Sequence, residues 1–520
     1  MTSQASSLPL LRGSTTLEEA LEQEEDMLLE LSYPDSRVDF FVFLYSHRND
    51  IIQLVSDHLG LGRSNQCRLG EVREWIHGSF NVCIPVYVEH WKKRVLIRFP
   101  LPYKLGELSY PGNADEKLRC EAATFIWIQQ HHSDIPLPCL WGFGLSGGQT
   151  FTKPENKSMA IRAVWYFKRY VSWLLGFPLP CPYISHRRQQ VLEHGYLIMD
   201  YINEPSVQML SETWDKLPHY PDRTKNLYRG LSRIMLSLSQ IPAPRIGSWT
   251  LDSEWVLQLC NRPLTLRLHQ LENAGIPTNI GRNLTYASTD SYYSDLLSCH
   301  DSRIIYQPNS IHDEEDGRAQ VANLIIMRAL LPQFTDRELR QGPFFYRLTD
   351  LHQSNIFVDE QWNVKYLIDL EWASSLPAET MRPPYWLTGH TADEIYGERL
   401  DTFSKAHSEL MEVFEEEEKR YPRLFNACAY RTAIMRRGWA SGNFWFFQAL
   451  DSPKGLFNIF RDHVQPKFSP SQSSNPSDFS RIVSEYWAVD TKAVMEKKLN
   501  DKDIYENELR LRFQDCPHGT

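Results

Sequence analysis

The pattern of apolar and polar positions changes character near residue 200. Before this point, short apolar runs rich in β-branched residues are separated by polar turns, which is typical of strands. The predicted strands are residues 80–88, 94–99, 140–143 and 196–199. After Tyr201 the apolar spacing is mainly helical. The sequence therefore predicts a small β region followed by a larger helical part.

Two helices are predicted within the first 200 residues. Residues 18–31 have helical spacing and many acidic side chains, and we interpret them as a helical preface. The second helix begins near Asn113, a plausible N-cap, and has acidic residues in its first turn. Its apolar positions fall on one stripe, formed by Leu118, Ala122, Phe125 and Ile126.

Two segments depart from this simple division. Residues 150–190 are rich in aromatic and basic residues, and we interpret them as an insertion in the β region. Residues 355–358 and 364–368 are short apolar runs around a polar turn, which predicts a single hairpin within the helical part.

Overall composition limits the functional classes. The chain of 520 residues has 65 acidic and 55 basic residues and a net charge of −10, so no general basic surface is expected to hold nucleic acid. Nine cysteines without a CxxC pair indicate a reducing compartment, and we expect a cytoplasmic protein. Residues 163–180 are too short and too charged to span a membrane.

The predicted hairpin places two oxygen ligands side by side. If Asn355 lies opposite Ile368 and Val358 opposite Lys365, Asp369 leaves the hairpin beside Asn355. An amide carbonyl and a carboxylate in this relation suit Mg²⁺, which takes few protein ligands and completes its shell with substrate phosphates. The pattern therefore predicts a magnesium site.

Asp350 precedes this hairpin and supplies a candidate general base. It lies on the entering loop, where its carboxylate can accept a proton from an attacking hydroxyl, as phosphoryl transfer requires. Each of Asp350, Asn355 and Asp369 taken singly is explained by a turn or a strand end. Their joint spacing, followed by Glu371 and Trp372, favours a catalytic constellation.

The run TDLHQSNIFVD…LIDLEWA resembles the catalytic and metal-binding loops of the aminoglycoside phosphotransferase and choline kinase group. IPLPCLWGFG and YLIMDYI resemble the fourth-strand region and the hinge of these kinases, and the similarity covers roughly residues 70–400. A large fungal set of phosphotransferase-domain proteins looks more similar still. The resemblance implies Asp350 as catalytic base, with Asn355 and Asp369 holding magnesium.

The same resemblance implies an α+β, bilobal protein-kinase-like fold. A small antiparallel β lobe would bind nucleotide, and a larger, mainly helical lobe would carry the catalytic loops. We expect a helical preface at residues 1–65, the N-lobe at residues 66–200 with its insertion at about residues 150–190, and the C-lobe at residues 201–520. The implied cofactors are ATP and Mg²⁺.

The strand Val95-Leu96-Ile97-Arg98 matches the kinase strand that offers a lysine to the phosphates, with arginine in its place. Period-two alternation puts Leu96 on the same face as Arg98, where it could touch adenine. Glu121, on the inward stripe of the following helix, is the expected partner of Arg98. A structural ion pair or two unrelated charges remain alternatives.

The other nucleotide contacts rest on weaker patterns. Gly78 and Ser79 lie in a turn where kinases place a glycine-rich loop, and a plain turn is an equal alternative. Met199 and Tyr201 would meet adenine if the hinge resemblance holds; otherwise they belong to a buried strand. His352 is expected to hold the catalytic loop by hydrogen bonds, with Glu371 in support.

The predicted function is an ATP- and Mg²⁺-dependent kinase acting on a hydroxyl of a small molecule. Residues 381–389 are candidates for the acceptor pocket or for a packed loop, and the acidic residues 391–419 for attracting a cationic acceptor or for a solvent face. The acceptor is expected to be cationic or polyhydroxylated.

Two further functions stay open. Arg98 in place of lysine, a glycine-poor phosphate loop, and Leu348-Thr349-Asp350 in place of the family's frequent HGD favour a pseudokinase that binds nucleotide or a protein partner. A protein kinase is less favoured, because neither a DFG tripeptide nor an APE-like segment follows Asp369.

Overall fold

One antiparallel sheet organises the first 200 residues. The computed structural model describes residues 7–62, 66–188, 192–217, 219–421, 431–452, 455–469 and 476–514. The strand order in the sheet is Cys67–Leu69, Asn81–Val88, Lys93–Pro100, Tyr196–Asp200, Leu140–Gly144, Gln149–Thr152 and Ile184–Arg187, with Ile76–His77 paired to Asn81–Val88. The strands predicted in this region are therefore confirmed, with ends shifted by one residue.

Helices cover both faces of this sheet. Met27–Ser46 and Arg48–His58 contribute Leu44, Ile51 and Val55 to a core shared with Val82, Ile84 and Ile97 of the sheet. Side chains of the other face, Phe143, Phe151 and Leu197, belong to the main core with helix Asn113–His131. The predicted helix at residues 18–31 is instead divided between Leu17–Leu21 and Met27–Ser46.

Helix Asn113–His131 begins differently from the prediction. Its N-cap is Gly112, which has a φ of 95°, a conformation that suits glycine. Asn113 was expected in that role but is the first helical residue. Its buried side-chain amide donates to the Leu105 carbonyl and to the Glu272 carboxylate. Tertiary hydrogen bonds, rather than capping, therefore explain this asparagine.

Residues 150–190 include part of the sheet as well as a projecting helix. Gln149–Thr152 and Ile184–Arg187 pair as neighbouring antiparallel strands, so both ends of the proposed insertion are integrated in the sheet. Helix Met159–Leu174 lies between them, and none of its residues is buried.

The remainder is mainly helical. The α-helices beyond residue 201 are Leu210–Trp214, Pro221–Leu238, Leu266–Asn273, Thr289–Tyr306, Glu314–Phe334, Glu398–Glu418, Arg431–Ser441, Asn443–Leu450, Leu456–Ile459, Gln465–Phe468, Pro476–Ser484 and Thr491–Gln514, and a short π-helix covers Phe460–Val464. Thr491–Gln514 packs on the chain's N-terminal segment through Leu509 and Phe513, which contact a cluster with Leu8 and Met27.

The helical part contains more strands than predicted. Besides the hairpin Ile356–Val358 and Val364–Leu367, the structure has the antiparallel pairs Ser248–Leu251 with Leu257–Asn261 and Phe344–Leu348 with Ala373–Pro377. Gln208–Met209 adds to the hairpin's edge. These strands are only 2 to 5 residues long, so their periodicity is too short to be distinguished from helix or loop.

The chain thus has the predicted fold class, α+β, with a small antiparallel lobe and a larger, mainly helical lobe. The boundaries proposed at residues 65 and 200 stay predictions. Within the described ranges, every helix is too short or too polar to cross a bilayer.

Candidate active site

Two strands of the helical lobe bring the predicted catalytic segments together. Phe344–Leu348 pairs with Ala373–Pro377, so the loop that follows the first strand meets the loop that precedes the second. The Thr349 amide and hydroxyl both donate to the Trp372 carbonyl, at 2.8 and 2.6 Å. The loop that contains Thr349 therefore lies next to the loop that contains Trp372.

The register of the hairpin agrees with the prediction at the end that matters for the site. The Ile368 amide donates to the Asn355 carbonyl at 3.0 Å. At the other end, Val358 lies opposite Val364 instead of Lys365, because the register shifts by one residue after Phe357. Because Ile368 is hydrogen-bonded to Asn355, the next residue, Asp369, leaves the hairpin beside Asn355.

Asp350 and Asn355 are in direct contact. The Asn355 side-chain amide donates to the Asp350 carbonyl at 2.8 Å and to its Oδ2 at 3.2 Å. Burial and the nearby charge of Asp369 raise the pKa of Asp350 to about 6, although the hydrogen bond from Asn355 opposes this rise. A carboxylate with this pKa is basic enough to accept a proton and is still ionised at neutral pH.

Asp369 occupies an unusual backbone conformation. Its φ of 57° lies in the left-handed region, which non-glycine residues rarely adopt. Its side chain remains 32% exposed, while its Oδ1 accepts a hydrogen bond from Arg98 at 2.6 Å. Strain of this kind is concentrated at functional sites, where the surrounding structure holds it in place.

Arg98 joins three carboxylates at the junction of sheet and helical lobe. Its side chain is 2% exposed and pairs with Glu121 at 3.0 Å, with Asp369 and with Glu371. Burial opposes the charged form, but Glu121 and Asp369 outweigh it and raise the pKa of Arg98. The sequence predicted the pairing of Arg98 with Glu121. Its ion pairs with Asp369 and Glu371, which are distant in sequence, were not predicted.

Lys117 is a second buried basic side chain, which the sequence did not single out. Its ammonium group lies 3.2 Å from Glu371 and donates to Asn81 at 2.7 Å. Burial and the neighbouring Arg98 lower the pKa of Lys117 to about 7. One signal was available, because Lys117 precedes Glu121 by one helical turn and so shares its inward face. We define Arg98, Lys117, Glu121, Asp369 and Glu371 as the Arg98 cluster.

The ligands present fit a hard cation. Asn355 directs its amide nitrogen to Asp350, and among the described residues its Oδ1 accepts one hydrogen bond, from the Ser354 hydroxyl at 3.4 Å. Asp369 keeps one carboxylate oxygen outside its bond with Arg98. No group of three or more His, Cys, Asp or Glu suited to metal binding occurs among the described residues. Two oxygen donors, one from Asn and one from Asp, are nevertheless enough for Mg²⁺, because substrate phosphates supply further ligands.

The Gly78–Ser79 turn lies above these loops. The Gly78 amide donates to the Asn81 carbonyl at 2.9 Å, closing a turn between two strands. The Phe80 ring packs edge-on against Trp372, with 5.7 Å between the centroids. Ser79 is exposed. The turn is thus anchored by Phe80 to Trp372, next to Glu371.

The proposed adenine contacts lie along two adjacent strands. Leu96 is paired with Met199 across the sheet, and Met199 is buried. Tyr201 follows the strand and stacks beneath Arg94, whose guanidinium carbon is 4.1 Å from the ring centroid. Leu96 and Arg98 are on the same strand two residues apart, as the predicted alternation requires.

His352 supports the predicted catalytic loop through its backbone. Its amide donates to the Asp350 carbonyl, and its carbonyl accepts from the Asn355 amide, each at 2.9 Å. Its ring contacts Trp386, whose indole nitrogen donates to the Leu351 carbonyl at 2.8 Å. The expected hydrogen bonds therefore come from the main chain of His352.

A cavity opens beside Asp350. It has a volume of about 240 Å³ and is lined by residues of the catalytic loop, including Thr349 and Leu351, and by Pro383, Tyr385 and Trp386 of the segment predicted to shape an acceptor pocket. Charged side chains of three further segments complete it: Arg267, Arg303 and Asp451. We call this space the Asp350 cavity.

Two solved structures have a remote similarity to this chain. An ethanolamine kinase from Plasmodium vivax matches with a TM-score of 0.35 and 8% sequence identity, over 84% of this chain and 85% of that one. Macrolide 2'-phosphotransferase type I matches with a TM-score of 0.30 and 8% identity, over 81% and 90%. No family model and no curated protein sequence matches. With both TM-scores below 0.5, the chain's own residues carry the functional inference.

Proposed function

We propose that this protein is a phosphotransferase that moves the γ-phosphoryl group of ATP, bound with Mg²⁺, to a hydroxyl group of a small molecule. The observation that supports it is the contact of Asp350 with Asn355 beside Asp369, together with the position of Asp350 in the lining of a cavity large enough for a small acceptor. These are the elements that phosphoryl transfer needs: a base, ligands for a cation, and a place for the nucleophile.

Asp350 acts as the base. Its carboxylate takes the proton of the acceptor hydroxyl while the hydroxyl oxygen forms a bond to the γ-phosphorus. The bond between this phosphorus and the bridging oxygen breaks, and ADP leaves with the electron pair. Asn355 orients Asp350 through its amide nitrogen, which leaves its Oδ1 for the cation. Mg²⁺ supplies charge neutralisation on the phosphates when bound.

The Arg98 cluster holds the nucleotide side of the site. Arg98 and Glu121 correspond in place to the lysine and glutamate by which kinases orient phosphates, and Lys117 adds a second cation. Leu96, Met199 and Tyr201 would contact the adenine, and backbone amides near Gly78 and Ser79 would contact phosphate. Seven cysteines of the described ranges are free thiols, which supports a proposal of a reducing, cytoplasmic location.

The test compares Asp350→Asn with the wild-type protein and with Asp222→Asn, an exposed aspartate at a helix start. Mg²⁺-ATP binding is measured by calorimetry, and ADP release is followed in the presence of a panel of hydroxyl compounds. We expect Asp350→Asn to bind Mg²⁺-ATP normally and to lose about 10²- to 10⁴-fold in turnover. The proposal fails if Asp350→Asn and Asp222→Asn turn over alike.

One contact favours a second candidate, a nucleotide-binding protein without transfer. Arg98 already occupies one oxygen of Asp369, which is needed for the cation. If this ion pair persists in the presence of nucleotide, Mg²⁺ will not tighten ATP binding. Calorimetric titrations with and without Mg²⁺ distinguish the two: we expect a dependence on Mg²⁺ that is lost in Asp369→Asn. Equal affinities in wild type would favour the second candidate.

A further inference from the structure

The Asp350 cavity is positively charged in a protein that is negatively charged overall. Arg267, Arg303, Arg347 and Arg382 line it, against Asp350 and Asp451, so four positive charges face two negative ones and leave a formal charge of +2. The net charge of the whole chain is −10. The positive charge of the cavity lining is therefore opposite to the net charge of the chain and does not follow from the average composition.

Two of the arginines are held in place by the surrounding structure. Arg382 donates to Asp451 at 2.5 Å and to Gln448 at 3.0 Å. Arg347 donates to the Thr380 carbonyl and hydroxyl at 2.7 and 2.8 Å. Burial lowers the pKa of Arg347 to about 10, which still leaves the guanidinium charged near neutral pH. These bonds preorganise the positive wall of the cavity.

Arg267 has an unused buried donor. Its Nη2 donates to Ser452 at 3.3 Å, whereas its Nη1 is shielded from solvent and makes no hydrogen bond to the described residues. Burial also lowers the pKa of Arg267 to about 10. A buried guanidinium nitrogen without a partner is costly, and an anionic ligand would relieve this cost.

From this arrangement we infer that the acceptor carries an anionic group, a carboxylate or a phosphate, which binds Arg267 while its hydroxyl reaches Asp350. This inference rests on the proposed kinase function and narrows its acceptor class. Among the described residues, helix Glu398–Glu418 provides no side chain to the cavity lining, so its acidic residues do not reverse the charge there. A polyhydroxylated acceptor remains compatible with the inference, provided that it is also anionic.

Binding to the cavity can be tested without turnover. Gluconate, glucose and glucosamine have the same carbon skeleton length and differ in charge, and inorganic phosphate serves as a minimal anion. Each compound is titrated into the full chain by calorimetry. The protein is saturated beforehand with Mg²⁺ and a non-hydrolysable ATP analogue, so that the compounds cannot bind at the nucleotide site. We expect gluconate or phosphate to bind at least about tenfold more tightly than glucosamine, as one charge-assisted hydrogen bond provides.

Arg267→Gln should weaken anion binding about tenfold, whereas Arg481→Gln, an exposed arginine that pairs with Asp478, should not. The inference is overturned if glucosamine binds at least as well as the anions, if no anion binds, or if Arg267→Gln has no effect. Failure of the kinase proposal would appear separately, as absence of ATP turnover in a protein whose cavity still binds anions.

Helix Met159–Leu174 carries a second, independent inference. Positions spaced by three and four residues form an apolar stripe: Met159, Ala163, Tyr166, Phe167, Tyr170, Trp173 and Leu174. The exposed fraction is 67% for Phe167 and 64% for Trp173. Leu175 and Phe177 extend this exposed surface beyond the helix. A contiguous apolar patch of this kind marks an interaction surface.

The charges around this stripe have one sign. Between Glu155 and Glu193 the sequence contains six Lys and Arg residues and no Asp or Glu. Three of the basic residues are on the helix: Arg162 and Arg169 border the apolar stripe on the side of Trp173, and Lys168 lies on the far side. In a chain of net charge −10, this segment is complementary to an anionic surface.

We propose that this helix binds the surface of an anionic lipid bilayer, lying in the plane of the interface. An exposed stripe of aromatic and aliphatic side chains with basic side chains at its border is suited to the interface of an anionic bilayer. The helix projects between two neighbouring strands at the sheet edge, so it can enter the headgroup region without unfolding the lobe. No span of the bilayer is required.

Sedimentation with lipid vesicles tests this binding on the full chain. We expect association with phosphatidylcholine vesicles containing about 30% phosphatidylserine, weaker association with pure phosphatidylcholine, and loss in high salt. The double variant Phe167→Ser/Trp173→Ser should abolish sedimentation. Tyr486→Ser serves as the control, because Tyr486 is 82% exposed and lies outside the segment.

The lipid proposal is overturned if anionic vesicles do not sediment the wild-type protein or if the double variant sediments equally well. Concentration-dependent dimerisation that the same variant abolishes, without vesicle binding, would assign the apolar face to a second copy of the chain instead. Because every substituted side chain is exposed, the folded state is expected to survive, and circular dichroism checks this.

Discussion

At the residue scale, the environment of Asp350 affects activity and stability in opposite directions. Its pKa is raised to about 6 by burial and by Asp369. The folded protein therefore retains a proton that the unfolded chain has already released between about pH 4 and pH 6. The favourable contribution of this carboxyl group to folding is complete below pH 4 and is lost as the pH rises through 6.

The Asp350→Asn variant should separate these two effects. At pH 7.5 it should be more stable than wild type by about 1 to 3 kcal/mol, because the neutral amide avoids the cost of a buried charge. Turnover of the wild type should rise as the pH increases through about 6, when Asp350 becomes able to accept a proton. Urea unfolding of both proteins at pH 5 and pH 7.5 measures the effect on stability. If the difference in unfolding free energy between Asp350→Asn and wild type is the same at both pH values, the predicted effect of the buried charge is wrong.

The sequence could identify these site residues only where the information is local. Asp350, Asn355 and Asp369 lie within 20 consecutive residues, and the hairpin register between them follows from strand pairing. The partners of Arg98 include Glu371, which is 273 positions away and is brought near by packing of the two lobes. No local periodicity could have predicted that contact.

At the element scale, helix Asn113–His131 is connected to the helical lobe by a buried ionic network. Arg262 pairs with Glu116 at 2.8 Å and with Glu272 at 2.6 Å, and all three side chains are buried. Burial opposes the charged form of Glu116, but the nearby His269, at 3.9 Å, and the hydrogen bonds from Arg262 outweigh it and lower the pKa of Glu116 to about 2. The network thus contributes stability above about pH 4.5 that is lost as the pH falls towards 2.

Replacing Arg262 by methionine should destabilise the protein by about 3 to 5 kcal/mol at neutral pH, because Glu272 stays buried without its cation and Glu116 keeps only its pair with the partly exposed Arg282. The loss should shrink on acidification, since protonated carboxyl groups no longer need a counter-charge. Arg481→Met, at an exposed ion pair, should change stability by less than about 0.5 kcal/mol. Denaturant unfolding at pH 4 and pH 7 gives both comparisons, and equal effects of the two variants would refute the role of the network.

The same helix shows why the prediction of elements succeeded while some of their details failed. Its apolar stripe was readable from sequence, and Leu118, Ala122 and Phe125 are buried as expected. The start was displaced by one residue, because Asn113 suits capping but serves a buried tertiary contact. Strand pairs in the helical lobe were missed because each strand has at most 5 residues.

At the scale of the whole molecule, segments distant in sequence close the structure. Helix Thr491–Gln514 packs against the N-terminal segment through a separate apolar cluster, in which Leu509 contacts Leu8, Met27 and their neighbours. The Met27 amide donates to the Tyr505 hydroxyl at 2.8 Å. The Met27–Ser46 helix in turn contributes to the core beneath the sheet. The C-terminal helix therefore supports the β lobe indirectly.

Leu509→Ala tests this support. Leu509 is fully buried, so the truncation should lower the free energy of unfolding by about 2 to 5 kcal/mol through lost burial and a residual cavity. Leu511 provides a control on the same helix, because it is 56% exposed and its replacement by alanine should cost less than about 0.5 kcal/mol. Amide exchange at Met27 should accelerate in Leu509→Ala but not in Leu511→Ala, since its hydrogen bond to Tyr505 depends on the docked helix. If both variants unfold at the same denaturant concentration as wild type, the helix is not part of the cooperative structure and the predicted support of the β lobe is wrong.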